Sequence, residues 1–122
     1  MVKSEDLIMM KNSYGFLFLI ENILREKIKN RLENDYGQNW NSIIKKRYGN
    51  NLLKKPFENM YFYELISLLR VIPELKDSFE KSIISNSIKL NLIRNKIAHC
   101  KVIDEKEYVF LYHYFEVIKR NV

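Results

Sequence analysis

The sequence has little of what cross-links small domains or interrupts helices. Cys100 is the only cysteine, which excludes an internal disulfide and a pair of thiolates for zinc. Three glycines and two prolines in 122 residues leave few positions where a helix must end. The alternation typical of strands is scarce, and long segments with helical periodicity dominate. We therefore expect one all-α domain over residues 1–122, a bundle of four to six helices with a long first helix.

The sequence also has no long apolar run. The run at residues 16–20 is far shorter than the ~20 residues that span a bilayer. Residues 1–6 do not combine a basic start with an apolar region and a small-residue cleavage site, as a secretory signal does. We therefore expect a cytoplasmic protein with no membrane partner.

Basic residues outnumber acidic ones. The chain has 21 Lys and Arg against 15 Asp and Glu, a formal net charge of +6. Such an excess suits a polyanionic partner such as RNA, because side chains that neutralise phosphates release condensed counterions. Charge alone does not select the partner, since a membrane surface also attracts a basic protein and many basic proteins of this size have neither partner.

Apolar residues at steps of three and four predict where the helices lie. The long first helix is predicted over residues 5–35, with Gly37 as its left-handed cap. The last helix is predicted to follow Asp104, which forms a capping box with Glu107. Between them we predict helices over residues 40–47, from Pro56 to residue 72, over one or two turns at residues 73–79, and over residues 80–99.

Glu21 interrupts the apolar stripe of the first helix. One interpretation is a carboxylate that pairs with Arg25 one turn later, which contributes only a few tenths of a kcal/mol at an exposed site. The other is a buried acid that holds or polarises Arg94 and His99, because a buried charge needs a partner. Both interpretations stay open.

Residues 92–100 bring together three side chains that carry chemistry: the Arg94 guanidinium, the Asn95 carboxamide and the His99 imidazole. Asn95 and His99 are four residues apart and project from the same side of a helix. Arg94 lies about 140° from His99 on an ideal helix. One chain therefore does not bring all three together, unless the helix ends near His99. Two chains around a two-fold axis can, because such an interface presents the same patch twice. Cys100 is expected to pack as a small apolar residue beside His99.

The segment 94–99 resembles the signature of the HEPN superfamily (higher eukaryotes and prokaryotes nucleotide-binding), an Arg, a polar residue and a His after four intervening residues. Residues 21–25 and 36–40 resemble its Swt1-like branch, and the resemblance extends over about residues 15–110. It implies a HEPN-like helical bundle and a metal-independent endoribonuclease that acts as a homodimer. It also implies a toxin–antitoxin, anti-phage or RNA-processing setting, with an antitoxin or activator protein as a possible partner.

Cleavage of RNA without a metal requires proton transfers and neutralisation of the phosphate. The imidazole of His99 can serve as acid or base. Arg94 can grip the phosphate with its fork, and Asn95 can orient either group. We expect Glu21 as a supporting acid and no metal or other cofactor, because no ligand cluster or Gly-rich phosphate loop is present. The lysines that we expect to contact RNA are Lys89, Lys96 and Lys101.

Two alternatives remain open. The chain can be a non-catalytic RNA-binding or dimerising interaction module of the same fold, or, less in line with the residues, a regulatory helical domain of a larger defence protein. The motif itself has a purely structural interpretation, in which the Arg and the polar residues simply close a helix.

Overall fold

The computed structural model describes residues 3–121, and this part of the chain contains only helices, turns and loops. The all-α class and the long first helix are therefore confirmed. The short α4 and α5 bring the number of α-helices in the described residues above the expected four to six. In chain order, the helices are α1 (Ser4–Tyr36), α2 (Trp40–Tyr48), α3 (Phe62–Val71), α4 (Pro73–Ser78), α5 (Lys81–Ser85), α6 (Ser87–Ala98) and α7 (Glu105–Arg120), with 3₁₀ turns at Asn50–Leu53 and Phe57–Asn59.

The long helix α1 is the central element and contacts α2, α3, α4, α6 and α7. Its first turn carries Glu5 and Asp6, which suit the positive end of the helix dipole. It ends at Gly37, whose φ of 82° is accessible to glycine at little cost and whose N–H bonds to the Glu33 carbonyl at 2.8 Å. The buried apolar residues recur at steps of three and four and are Leu17, Ile20, Leu24, Ile28 and Leu32.

Helix α7 packs along α1 and runs in the same direction. Phe16 lies against Phe115, with ring centroids 5.3 Å apart. Further along both helices, Lys27 Nζ donates to the backbone carbonyls of Ile118 at 2.8 Å and Lys119 at 2.9 Å. The last carbonyls of a helix have no N–H donor within the helix. Lys27 supplies a hydrogen-bond donor to two of these carbonyls at the end of α7.

Helices α5 and α6 run antiparallel to α7. The Tyr114 hydroxyl donates to the Ile83 carbonyl at 2.6 Å, and burial raises the pKa of this phenol. At the other end, Lys96 Nζ lies 2.8 Å from a Glu107 carboxylate oxygen. The predicted capping box is confirmed: Glu107 N–H donates to Asp104 Oδ1 at 2.7 Å, and Asp104 N–H donates to Glu107 Oε1 at 3.0 Å.

Two helices begin or end at residues other than those predicted from the sequence. The helix predicted over residues 80–99 is interrupted at Asn86, between α5 and α6. The next residue, Ser87, is buried, and its hydroxyl donates to the Ile84 carbonyl at 2.6 Å, a side-chain bond that competes with the helical ladder. The helix predicted to begin at Pro56 begins at Phe62, because a 3₁₀ turn and extended backbone intervene.

The N-terminal half of α1 has an open apolar face. The stripe that predicted this helix includes Leu7 and Tyr14, yet these side chains are 52% and 65% exposed. Phe18, one turn after Tyr14, is 58% exposed. The periodicity correctly indicated a helix, but none of the other described helices covers this side of it.

Candidate functional site

Helix α6 ends at Ala98, and His99 is its C-cap residue. The Cys100 N–H bonds to the Ile97 carbonyl at 3.0 Å, and the Lys101 N–H bonds to the Lys96 carbonyl at 2.8 Å. These two bonds form a Schellman motif, with Cys100 in the left-handed conformation at φ 57°. The chain therefore turns away directly after His99. Cys100 is exposed, so the expectation that it packs as a small apolar residue is wrong, because the turn directs it to solvent.

Arg94 is held by Glu21 of α1. Its Nε donates to Glu21 Oε1 at 2.7 Å, and the two side chains are only 24% and 21% exposed. The terminal Nη groups of Arg94 donate to none of residues 3–121 and are not enclosed. A guanidinium that is fixed through Nε and open at both Nη groups can receive a phosphate in a forked grip.

Glu21 does not pair with Arg25. The Arg25 Nη1 donates to Asn22 Oδ1 at 3.0 Å, and its Nη2 donates to the Met60 carbonyl at 2.7 Å. Of the two interpretations of Glu21, the contact with Arg94 is the one observed. The geometry does not bring Glu21 to His99, which lies on another side of α6.

A groove of about 190 Å³ separates α1 from α6. We call it the α1–α6 groove. Glu21 and Arg94 lie within it, beside the exposed side chains of Tyr14 and Phe18. The groove therefore joins a charged pair to an apolar rim. Its full lining is Tyr14, Leu17, Phe18, Glu21, Asn22, Arg94, Ile97 and Ala98.

Asn95 and His99 lie on a different face of α6. They are exposed and in line with two exposed apolar side chains, Ile88 at 68% and Leu92 at 60%. The spacings of four, three and four residues place these four side chains within about 60° of arc on a helix. We call this set, Ile88, Leu92, Asn95 and His99, the α6 stripe. It combines polar side chains that carry chemistry with apolar surface that no other described element covers.

The three predicted lysines lie beside the α6 stripe, on the side that faces α7. Lys89, Lys96 and Lys101 line a groove of about 440 Å³ between α6 and α7, together with Asn95 and His99. Lys89 Nζ lies 4.6 Å from the Phe110 ring centroid, and Lys96 is engaged by Glu107. Lys101 is exposed and makes no ion pair within residues 3–121. The side chains of this α6–α7 groove thus give a mainly positive surface next to the imidazole.

The predicted site residues therefore form two groups in one chain. Arg94 and Glu21 face the α1–α6 groove, whereas Asn95, His99 and the lysines face the α6–α7 groove. The separation follows from the five-residue offset between Arg94 and His99, since the helix remains regular up to Ala98. A phosphate held by Arg94 does not meet the His99 of the same chain unless the geometry changes or a second chain contributes.

Two exposed tyrosines near Arg94 were not among the predicted site residues. Tyr61 lies under the Arg94 guanidinium, 5.6 Å from Cζ to the ring centroid, and its neighbour Tyr63 is also exposed. The only sequence feature that could have indicated them is the run of three aromatic residues, Tyr61-Phe62-Tyr63. In the structure the middle ring of this run is buried and the outer two are exposed. Periodicity alone assigns such a run to a core.

Within residues 3–121, no three His, Cys, Asp or Glu side chains come together as a set that could hold a metal ion. None of the helices in this range is both long and apolar enough to cross a membrane.

Comparison with known proteins identifies no relative of this chain. No protein-family model matches the chain, and no curated protein or solved structure is significantly similar to it.

Proposed function

We propose that this protein is a metal-independent endoribonuclease of the HEPN type that acts as a homodimer. We further propose that it acts in the cytoplasm, with RNA as substrate and an antitoxin or activator protein as its regulator, in a toxin–antitoxin, anti-phage or RNA-processing setting. The observation that carries it is the α6 stripe. Asn95 and His99 lie in line with exposed Ile88 and Leu92, so the polar side chains belong to a surface that suits a partner.

A two-fold axis near the α6 stripe would create a composite site. One chain directs Arg94 and His99 into different grooves, and an isologous interface presents each of these groups twice. The Arg94 of one protomer can then hold a phosphate close to the His99 of the other. Burial of Ile88 and Leu92 against their symmetry mates would stabilise the dimer, at roughly 25 cal/mol per Å² of apolar surface removed from water.

The chemistry that follows is an attack of the RNA on itself. The 2′-oxygen forms a bond to the neighbouring phosphorus while the bond from phosphorus to the 5′-oxygen breaks. The neutral His99 of one protomer accepts the 2′-hydroxyl proton, and the leaving 5′-oxygen takes up a proton from solvent, to which the imidazolium then releases its own. Arg94 neutralises the phosphate in the transition state, and Glu21 fixes the guanidinium. The products are a 2′,3′-cyclic phosphate and a 5′-hydroxyl.

Each remaining residue has a supporting role in this proposal. Asn95, beside His99 on the α6 stripe, orients the imidazole or the phosphate by hydrogen bonds. Lys89, Lys96 and Lys101 attract the RNA backbone on either side of the cleaved phosphate. Their positions around the α6–α7 groove support this assignment.

The test is incubation of the purified protein with RNA in EDTA. The native protein is expected to cut RNA and leave a cyclic phosphate, but not to cut single-stranded DNA, which lacks the attacking hydroxyl. Arg94→Ala and His99→Ala are each expected to lose about 10²- to 10⁴-fold in rate, and Asn95→Ala less. His113→Ala is the matched control, because His113 is exposed on α7 and lines neither groove.

The outcomes separate the alternatives. Cleavage that stops in EDTA, or equal cleavage of DNA, contradicts the mechanism. RNA binding without cleavage, with affinity that depends on the lysines, favours the non-catalytic RNA-binding module.

A further inference from the structure

The surface next to Arg94 carries an exposed aromatic pair. Tyr61 and Tyr63 are 51% and 55% exposed, and their ring centroids lie 6.3 Å apart at an interplanar angle of 30°. Phe62 between them is 1% exposed and anchors the segment in the core. Two rings offered to solvent from a fixed segment form a surface on which a flat π-system can lie.

Two cations accompany the pair. Lys55 Nζ lies 3.8 Å and Arg94 Cζ 5.6 Å from the Tyr61 ring centroid. Both distances are within the range of cation–π contacts. Lys55 is also paired with Glu64 at 2.7 Å, and Arg94 with Glu21 at 2.7 Å, so both cations are held next to the ring. A phosphate attached to a base on the tyrosines would meet these two groups.

The backbone beneath the pair is fixed at two points. The Tyr61 N–H donates to Glu64 Oε1 at 2.8 Å, at the start of α3. The preceding carbonyl, that of Met60, accepts from Arg25 Nη2 at 2.7 Å, and Arg25 lies on α1 one turn after Glu21. The same side of α1 therefore positions both the guanidinium and the tyrosines, and a ligand that contacts them finds the surface already arranged.

We propose that Tyr61 and Tyr63 form a stacking site for an unpaired nucleobase of single-stranded RNA, with the adjoining phosphate on Lys55 and Arg94. The inference rests on the proposed function, because Arg94 would then hold the phosphate that is cleaved or its neighbour. The Tyr61–Tyr63 pair selects unpaired over duplex RNA, since a base inside a duplex has no free face. It places the neighbouring nucleotide and does not itself move a proton.

Binding is measured by fluorescence anisotropy with a short single-stranded RNA whose 2′-hydroxyls are methylated, so that the oligonucleotide cannot be cut. A second oligonucleotide of the same length lacks the bases. Tyr61→Ala and Tyr63→Ala are each expected to weaken binding of the first RNA by roughly tenfold, and to leave binding of the abasic RNA unchanged. Tyr63→Phe keeps the ring and is expected to bind within about twofold of the parent. Lys55→Gln is expected to lower the slope of log affinity against log salt by about one.

Several results would overturn the stacking site. If the alanine variants lose equal affinity for the base-containing and the abasic RNA, the rings have a structural role and do not stack on a base. If both alanine variants bind the base-containing RNA with unchanged affinity, the rings have no role in binding. Dissociation of a dimer in Tyr61→Ala and Tyr63→Ala, seen by light scattering, would assign the pair to contact between copies of the chain.

The experiment separates this inference from the nuclease proposal. If the binding measurements agree with the stacking site but the native protein does not cut ordinary RNA, the stacking site is supported and the nuclease proposal is contradicted. If the native protein cuts ordinary RNA and Tyr61→Ala and Tyr63→Ala keep the native KM and kcat, the nuclease proposal is supported and the stacking site is contradicted.

Discussion

Arg94 Nε donates to Glu21 Oε1 at 2.7 Å, and this bond joins α6 to α1 across 73 residues of chain. Neither side chain has a second ion-pair partner among residues 3–121. The bond fixes the orientation of the guanidinium while both of its Nη groups stay open. Packing between α6 and the central helix thus sets the position of the group that we assign to the phosphate.

We predict that Glu21 and Arg94 are energetically coupled in the folded protein. A double-mutant cycle of Glu21→Gln and Arg94→Gln, measured by urea unfolding, should give a coupling energy of about 1–2 kcal/mol, since the charged hydrogen bond is mostly shielded from water. Glu26→Gln, at an exposed position of α1, should change the free energy of unfolding by less than about 0.5 kcal/mol. Additive effects of the two Gln substitutions would show that the bond contributes nothing to stability.

Cys100 should be replaceable by glycine with a gain in stability. Its φ of 57° at the end of α6 carries a penalty for any residue with a Cβ. Cys100→Gly is therefore expected to raise the free energy of unfolding by about 1 kcal/mol. Cys100→Ala removes the thiol but keeps the Cβ, and should not give this gain. Equal stabilisation by both substitutions would refute the backbone explanation.

Tyr36 should make the protein less stable at alkaline pH. Burial and the hydrogen bond to Glu74 raise the pKa of Tyr36 from 10.0 to about 12. Between these values the unfolded chain has lost the phenolic proton and the folded chain has kept it. The unfolded state then binds fewer protons, so the free energy of unfolding falls as the pH rises through this window. At a pH below this window, Tyr36 makes its full contribution to the free energy of unfolding.

Urea unfolding at about pH 9 and about pH 11 checks this prediction. Tyr36→Phe should lose less stability than the parent between the two conditions, because the other tyrosines titrate in both proteins. Parallel losses in the two proteins would mean that the Tyr36 hydroxyl is not protected by the fold.

The α6 stripe should mediate dimerisation. Leu92 is 60% exposed, and an aspartate there would place two like charges near each other across a two-fold axis. Light scattering at tens of micromolar is expected to show a dimer for the parent and a monomer of unchanged helical content for Leu92→Asp. Val71→Asp is the control, since Val71 is 45% exposed on α3. A monomeric parent, or a dimer that tolerates the aspartate, would exclude this interface.

Patterns of single residues predicted most of the helices, because periodicity and capping act locally. The buried residues from Leu17 to Leu32 repeat at helical spacing, and Asp104 and Glu107 carry a capping box that needs no tertiary contact. The break at Asn86 was not predicted. Apolar residues continue at helical spacing on both sides of it, and only the burial of the Ser87 hydroxyl shows why the ladder is interrupted.

The candidate site required the packing of distant segments. The sequence indicated Arg94 and Glu21 as chemically unusual on apolar helices, but the choice of Arg94 over Arg25 as partner depends on where α6 lies against α1. The exposure of Tyr61 and Tyr63 likewise depends on the turn of α3 that buries Phe62 between them. The catalytic and RNA-binding roles remain predictions.

The central claim is that Arg94 of one protomer acts with His99 of the other, and mixed dimers test it most directly. Arg94→Ala and His99→Ala proteins are each expected to cut RNA at no more than about a hundredth of the native rate. An equimolar mixture that exchanges subunits at random contains mixed dimers as half of its population, each with one complete Arg94–His99 pair out of two. The account predicts recovery of about a quarter of the native cleavage rate. A mixture as inactive as its components, with exchange verified, would contradict a site shared between two chains.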